Sequence, residues 1–213
     1  PGVLEIPSVP LSLFSDSSEQ ESDLRHLNVE FLFVGRLWLF GPERVCSVRN
    51  AVANLVRSPI ADSVLVVNTT SIDQMKMLPY KKLDELYSHS SFCLVTKADS
   101  YSTAALYNAV QSGCIPIIIS DWLAPAFNWA IPWSRFAIRI SEQDFLASPS
   151  AALIAVRKDY GEKLPELRQE MKKWAPLLSY ATMSKAKTSS LHENLVHYTL
   201  STPVDKTHNS DKV

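Results

Sequence analysis

The stretch from Phe92 to Asp121, FCLVTKADSYSTAALYNAVQSGCIPIIISD, contains two apolar runs on either side of a hydroxyl-rich turn and a segment with helical spacing. The runs FCLVT and CIPIIIS have no polar alternation, which is typical of strands that are covered on both faces of a parallel sheet. Ser102 and Thr103 are good caps for the start of the segment between them, and Gly113 suits its C-terminal end. The stretch therefore predicts strand, helix and strand, with the helix over Ser102 to Ser112.

The same alternation precedes this stretch. The apolar run VEFLFVG is followed by a helical pattern from Pro42, and SVLVVN is followed by a helical pattern near Tyr80 to Tyr87. Strands that alternate with helices predict an α/β fold with a doubly wound, Rossmann-like parallel sheet. We expect its strands near residues 30–35, 63–68, 92–96 and 115–119.

The chain then passes through a loop rich in Trp and Pro to a predicted edge strand, RFAIRI, and to two helical stretches, SPSAALIAVRKDY and GEKLPELRQEMKKWAPLL. The predicted organisation is an entry loop or linker over residues 1–28, one domain over 29–200 and a flexible tail over 201–213.

Charge and hydropathy predict neither a nucleic-acid partner nor a membrane-spanning helix within this sequence. The net charge is −1 and the 21 basic residues are scattered, so we expect no nucleic-acid partner. The longest apolar stretch, VEFLFVGRLWLF, is interrupted by Arg36 and is too short to predict a membrane-spanning helix. The chain opens at Pro1 without a basic and apolar leader, so we expect that the native start was removed or lies upstream.

Cys46, Cys93 and Cys114 have neither metal-ligand spacing nor the density of a disulfide scaffold. The favoured interpretation is buried thiols that act as small hydrophobes. A disulfide between Cys93 and Cys114 is the alternative, if their strands are neighbours and the compartment is oxidising. There is no D-x-D pair and the five histidines lack ligand spacing, so we expect no metal and no other cofactor.

The turn after FCLVT is the first candidate site, because ligands of doubly wound sheets lie beyond the carboxyl ends of the strands. A helix start offers free N–H groups and partial positive charge, so the cap hydroxyls and Lys97 suit a phosphate-bearing ligand such as a nucleotide diphosphate. The alternative is that Ser102 only caps the helix, Lys97 points to water and Asp99 stabilises the turn.

The order of these residues resembles the signature of the exostosin-like glycosyltransferase family. FCL, Asp99, Ser102, Ala109 and GCIPIIISD stand at matching spacing. FLFVGR, Arg49 and ISEQDF are also similar to segments of that family, and with VLEIPSVP the resemblance covers roughly residues 1–183. It implies the C-terminal, donor-binding half of a GT-B fold.

The resemblance also implies an activity. Such an enzyme transfers a sugar from a nucleotide-sugar donor to a glycan acceptor with inversion, and we expect the donor here to be a uridine diphosphate sugar. It implies the Golgi lumen, a membrane-anchored full-length protein and an N-terminal half-domain that completes the active site. We therefore expect this chain alone to be incomplete and inactive. An oligomer is left open, and the catalytic residues are not identified.

Seven residues are predicted to bind substrate: Lys97, Asp99, Ser100, Tyr101, Ser102, Thr103 and Asp121. The sequence departs from the family pattern where Ala98 replaces Gly, where Ala104 and Ala105 replace an Arg, and where Ala124 occupies the place of an acidic residue. An alternative function is therefore a catalytically inactive member that binds or scaffolds a partner.

Three further features have two interpretations each. Asp121 suits hydrogen bonds with ribose or sugar hydroxyls as well as it suits a turn at the end of a strand. Glu142 and Asp144 could bind substrate in the same way, although a solvated turn is favoured. The triplet Asn68-Thr69-Thr70 is a glycosylation acceptor compatible with a luminal protein, or one of the triplets that are common by chance, at the end of a strand.

Overall fold

The computed structural model describes residues 29–37, 43–70, 80–97 and 103–178. Within them the elements are β1 (Val29–Gly35), α1 (Glu43–Asn54), β2 (Val64–Asn68), α2 (Tyr80–Ser88), β3 (Ser90–Thr96), α3 (Ala104–Ser112), β4 (Ile115–Ile119), β5 (Ile138–Ile140), α4 (Glu142–Ala147), α5 (Pro149–Tyr160) and α6 (Leu164–Trp174). Short 3₁₀ segments cover Leu55–Arg57, Ala61–Ser63, Trp133–Arg135 and Ala175–Leu178. Among these helices, none has the length and apolar character needed to cross a bilayer.

The five strands form one sheet in the order β2-β1-β3-β4-β5, and every neighbouring pair is parallel. Helices connect the strands and flank the sheet, so the predicted doubly wound α/β fold is confirmed. The predicted edge strand is confirmed too, since β5 lies at one edge of the sheet beside β4.

The continuous apolar runs are explained by two separate clusters of core residues. In β1, Phe31 and Phe33 belong to the larger cluster, whereas Leu32 between them belongs to the smaller one. Helices α1, α4, α5 and α6 contribute to the larger cluster, and α2 contributes Leu86 and Tyr87 to the smaller one. Successive side chains of a strand point to opposite faces, so both faces of the sheet must be covered by apolar residues.

Helix α3 begins two residues later than predicted. Thr103 is extended at φ −141° and acts as the N-cap, with its hydroxyl accepting from the N–H of Ala105. The other end was predicted correctly: Gly113 has φ 84°, the left-handed conformation that glycine adopts without steric cost, and its N–H closes onto the last helical turn.

The solvated turn favoured for Glu142 and Asp144 is wrong, because this segment forms the short helix α4. Its first turn is closed by a reciprocal cap: the Ser141 hydroxyl accepts from the N–H of Asp144 at 3.0 Å and donates to the Asp144 carboxylate at 2.6 Å. Phe145 is fully buried in the larger cluster and supplies the packing that so short a helix needs.

The favoured interpretation of the cysteines is wrong for two of them. Cys93 and Cys114 form a disulfide, with their Cα atoms 5.8 Å apart. The physical reason is strand order: β3 and β4 are neighbours, and Cys93 stands opposite Pro116, two residues beyond Cys114. Both cysteines are buried in the smaller cluster, so their environment is as apolar as expected although their sulfurs are bonded.

Several predictions fall on residues that the structure does not describe. The entry segment 1–28, the tail 201–213 and the turn residues Asp99, Ser100, Tyr101 and Ser102 all lie outside the described ranges. The domain boundaries therefore stay predictions.

Candidate functional site

Strand order places a crevice between the carboxyl ends of β1 and β3. From β1 the chain moves to β2, toward one edge of the sheet, and from β3 it moves to β4, toward the opposite edge. The connections therefore diverge between β1 and β3. Ligands of open α/β sheets bind at such a point. Arg36 and Leu37 follow β1 at this edge, and Lys97 follows β3.

The guanidinium of Arg49 joins the two sides of this crevice. Arg49 lies on α1 and is only 8% exposed. Its Nη1 donates to the carbonyl of Arg36 at 2.9 Å, and its Nη2 donates to the carbonyl of Lys97 at 2.9 Å. One buried cation therefore holds the backbone at both Arg36 and Lys97.

Lys97 is half-buried, and its Nζ lies 6.0 Å from the centroid of the Trp122 ring. That distance is at the outer limit of a cation–π contact, which restrains the ammonium group without neutralising its charge. Arg36 is exposed on the neighbouring strand. The two cations therefore remain available to an anion at the mouth of the crevice.

Helix α3 starts at the same edge, directly after the turn that follows β3. The Thr103 hydroxyl is already engaged in capping, 3.4 Å from the N–H of Ala105. Ala104 and Ala105 occupy the first helical positions, so this helix start offers backbone N–H groups and a partial positive charge but no cationic side chain.

Asp121 follows β4, the next strand along this edge, but it makes structural contacts. Its N–H donates to the carboxylate of Glu142 at 3.2 Å, and its own carboxylate accepts from the N–H of Glu142 at the same distance. This reciprocal pair fastens the end of β4 to the start of α4. Asp121 remains exposed, so it keeps surface toward solvent beyond these contacts.

The segment from Trp122 to Trp129, called here the aromatic loop, follows Asp121 and is firmly anchored. The N–H of Ala126 donates to the Tyr107 hydroxyl of α3 at 3.1 Å, and the indole N–H of Trp133 donates to the Ala126 carbonyl at 3.0 Å. Arg139 of β5 donates to the carbonyls of Ser120 and Leu123 at 2.9 and 3.1 Å. These contacts hold the loop and its start from three elements: α3, the 3₁₀ segment Trp133–Arg135 and β5.

Three large aromatic side chains of this anchored loop face solvent. Trp122 is 54% exposed, Phe127 39% and Trp129 61%, and the rings of Phe127 and Trp129 meet edge to face at 6.3 Å. Phe127 has φ 52°, a left-handed backbone that costs an aromatic residue about 1 kcal/mol or more. The exposure therefore belongs to a fixed and locally strained conformation, not to a loose segment.

Metal-binding geometry is not seen in the described ranges, where no three His, Cys, Asp or Glu side chains lie together in a way that could hold an ion. The expectation that donor binding needs no metal stays a prediction.

Of the seven predicted binding residues, the structure describes three: Lys97, Thr103 and Asp121. All three lie at the carboxyl edge of the sheet, following β3 or β4. Sequence reasoning missed Arg36 and Trp122 as site residues. The rule that selected Lys97 would have selected Arg36 as well, because Arg36 is the first residue after the carboxyl end of β1.

Comparison with known proteins adds the family. The family model of the exostosin GT47 domain matches residues 20–154, which is more than half of the chain. The matched region runs from before β1 into α5 and so includes the whole sheet, the crevice and the aromatic loop.

Three curated relatives illustrate the similarity. The chain is 34% identical over 87 residues to the exostosin-1 homolog of Caenorhabditis elegans, covering 40% of this chain and 22% of that protein. It is 33% identical over 88 residues to exostosin-1 of Drosophila melanogaster, covering 41% of this chain and 11% of that protein. It is 31% identical over 83 residues to "Probable arabinosyltransferase ARAD1" of Arabidopsis thaliana, covering 39% of this chain and 18% of that protein.

The matched segments thus span between about a tenth and about a fifth of these relatives. A parallel α/β sheet, a crevice flanked by cations and the FCL and GCIP segments on its neighbouring central strands all fall within the matched region. The chain therefore belongs to the exostosin GT47 family.

Proposed function

We propose that this chain is the donor-binding half of an inverting glycosyltransferase that takes its sugar from a uridine diphosphate sugar. The observation that carries the proposal is the pair Arg36 and Lys97, on the two strands that flank the crevice and fixed by Arg49. A diphosphate bears the negative charge that such a pair balances, and the start of α3 adds N–H donors at the same edge.

In the proposed reaction an acceptor hydroxyl attacks the anomeric carbon of the sugar as the bond to the diphosphate oxygen breaks. Negative charge then grows on the leaving diphosphate, and Arg36 and Lys97 stabilise it there. A base must take the proton of the attacking hydroxyl on the opposite face of the sugar. We assign that base to a facing half-domain, as the resemblance to the family implies.

The donor proposal is tested by titrating uridine diphosphate into the protein in a calorimeter, in the presence of a metal chelator. Lys97→Ala and Arg36→Ala should each weaken binding about tenfold, the effect of losing one charge-assisted contact. The predicted contact of Ser102 is tested in the same way with Ser102→Ala.

The matched control for that titration is Lys158→Ala, which removes an exposed cation of α5. Its neighbour Arg157 pairs with Glu30 at the amino end of β1, so Lys158 is placed away from the carboxyl edge. Equal affinities for wild type, Lys97→Ala and Arg36→Ala would place the diphosphate elsewhere.

For the glycan acceptor we propose the aromatic loop. The loop carries no charged residue, and its exposed residues are Trp122, Ala124, Phe127, Asn128 and Trp129. Flat aromatic faces with a few hydrogen-bonding groups suit the apolar C–H face and the hydroxyls of an uncharged sugar ring. The contact between Trp122 and Lys97 makes this loop continuous with the proposed donor site.

Binding of uncharged oligosaccharides tests the acceptor proposal, with tryptophan fluorescence as the readout and a panel of neutral glycans as probes. Trp129→Ala should reduce affinity about tenfold, since stacking on one aromatic face contributes on the order of 1 kcal/mol or more. Ile154→Ala, which shortens an exposed apolar side chain of α5, is the control and should change nothing. Equal affinities for wild type and Trp129→Ala would remove the aromatic loop from the acceptor site.

A second candidate function is a non-catalytic family member that binds or scaffolds a partner. It is favoured by Ala104 and Ala105, which leave the first turn of α3 without a cation, and by the capping contact of the Thr103 hydroxyl. Donor binding by the whole protein without formation of a glycosidic product, across a panel of acceptors, would favour this candidate over the transferase.

The proposed setting is the Golgi lumen, in a membrane-anchored full-length protein with an N-terminal half-domain as partner. The disulfide between Cys93 and Cys114 supports an oxidising compartment, since such bonds persist there and are rare in the cytosol. Assembly into an oligomer is left open in this proposal.

A further inference from the structure

The end of β2 carries a feature that the proposed function does not use. Asn68-Thr69-Thr70 is the one Asn-Xaa-Ser/Thr triplet of the sequence. We propose that Asn68 is modified by an N-linked glycan. This inference goes beyond the proposed function and does not depend on it.

The Asn68 side chain is fixed through its oxygen alone. Oδ1 accepts from the N–H of Leu37 at 3.3 Å and from the N–H of Thr70 at 3.0 Å, and it lies 2.5 Å from the Thr70 hydroxyl oxygen. The Thr70 hydroxyl also accepts from the N–H of Leu37 at 3.1 Å and lies 3.0 Å from the Leu37 carbonyl. The single proton of the Thr70 hydroxyl is donated either to Oδ1 of Asn68 or to the carbonyl of Leu37 at any one time.

The amide nitrogen takes no part in this network. Among the described residues, Nδ2 of Asn68 has no hydrogen-bond partner. It is also not a buried atom, since the one buried side-chain N or O atom without a partner in the described residues is Nε of Arg49. Asn68 is half-buried at the end of an edge strand, and Thr70 beyond it is exposed. Nδ2 therefore reaches solvent, while every bond that holds the side chain uses Oδ1.

This division of the amide suits the modification. An N-linked glycan replaces one hydrogen of Nδ2 and leaves Oδ1 unchanged, so the folded protein can carry the sugar without losing a hydrogen bond. In the transfer, Nδ2 forms a bond to the anomeric carbon of a lipid-linked oligosaccharide diphosphate. The bond from that carbon to the diphosphate breaks, the electron pair leaves with the diphosphate, and one Nδ2 proton goes to a base.

The disulfide provides an independent argument about access to that donor. Cys93 and Cys114 are bonded in the interior, which indicates folding in an oxidising compartment. Secretory proteins acquire both disulfides and N-linked glycans there. In the secretory pathway of a eukaryotic cell, the compartment that forms such a disulfide also contains the glycosylation machinery.

The test uses the whole protein, produced in the secretory pathway of a eukaryotic cell. Treatment with an amidase that removes N-linked glycans should speed its migration on a gel and convert Asn68 to Asp in the peptide map. Thr70→Ser keeps a hydroxyl and should keep the glycan. Thr70→Val and Asn68→Asp should each remove it completely.

Asn68→Asp separates loss of the glycan from misfolding, because Asp keeps the Oδ1 acceptor but has no nitrogen. Whole protein recovered from the secretory pathway with Cys93 and Cys114 bonded and with unmodified Asn68 in its peptide map would overturn the inference. A gel shift that persists in Asn68→Asp, with Asn68 unmodified in the wild-type map, would overturn it equally. Donor binding is measured in a separate experiment. A missing glycan would therefore leave the proposed function standing, and a failure to bind donor would leave this inference standing.

Discussion

A single buried guanidinium, that of Arg49, holds both strand ends that form the crevice. Its two contacts span from the loop after β1 to the loop after β3, at positions 13 and 48 residues away from it in the chain. Arg49 therefore sets the spacing of the two cations that the donor proposal requires.

We expect Arg49→Met to lower the free energy of unfolding by about 2–6 kcal/mol, because two carbonyls lose a charged donor and each such loss costs about 1–3 kcal/mol. Arg49→Lys keeps the charge but reaches one carbonyl at a time, so its loss should be smaller. Urea denaturation measures both, with Lys158→Met as the exposed control. An unchanged midpoint for Arg49→Met would show that the strand ends are held by other contacts.

Individual residues also mark where sequence reasoning ends. Lys97 and Asp121 were placed at the carboxyl edge because each follows a clear apolar run, and position after a strand is visible in the sequence. The clamp of Arg49 was not predictable from the residues, since it depends on β1 and β3 being neighbours although β2 lies between them in the chain. The interpretation of Cys93 and Cys114 was wrong for the same reason, because the sequence does not show which strands are neighbours.

Among the elements, long apolar runs were predicted best and short polar elements worst. The four strands of the predicted sheet agree with the structure to within about two residues at each end, because each run is bounded by polar or turn residues. Helix α4 has only six residues and was taken for a turn, since EQDFLA has one apolar face of a single Phe and Leu. The start of α3 was displaced because Ser102 and Thr103 can both cap, and the sequence does not choose between them.

Helix α3 also provides a prediction about a single position. Gly113 has φ 84°, and a Cβ placed there would meet nothing within 4 Å. Its carbonyl is held by Nε of Arg168 at 3.1 Å, which resists a change of backbone conformation. Gly113→Ala should therefore cost about 1 kcal/mol of unfolding free energy through backbone strain alone.

Thermal or urea unfolding measures that cost. Gly113→Asn is the matched variant, because Asn tolerates the left-handed region better and should lose less than Ala although it is larger. A larger loss for Asn than for Ala would mean that space, not backbone conformation, limits this position.

At the scale of the whole molecule, the disulfide limits the conformational freedom of the unfolded chain. It joins Cys93 of β3 to Cys114 just before β4 across a separation of 21 residues. The closed loop contains the described site residues Lys97 and Thr103 and all of α3. One covalent bond thus ties the predicted binding turn to the two central strands on either side of it.

We expect the double variant Cys93→Ala, Cys114→Ala to lose about 3 kcal/mol of unfolding free energy, the amount by which a closed loop of this length restricts the unfolded chain. The two small side chains keep the apolar character of the site, so packing loss is kept low. Reduction of the wild-type protein should lower its stability by a similar amount and should not affect the double variant. Cys46→Ala is the control, and it should leave the sensitivity to reductant unchanged. If the wild type and the double variant unfold at the same denaturant concentration under oxidising conditions, loop closure does not stabilise this fold. In that case the backbone ladder between β3 and β4 and the two core clusters would hold these strands together without help from the disulfide.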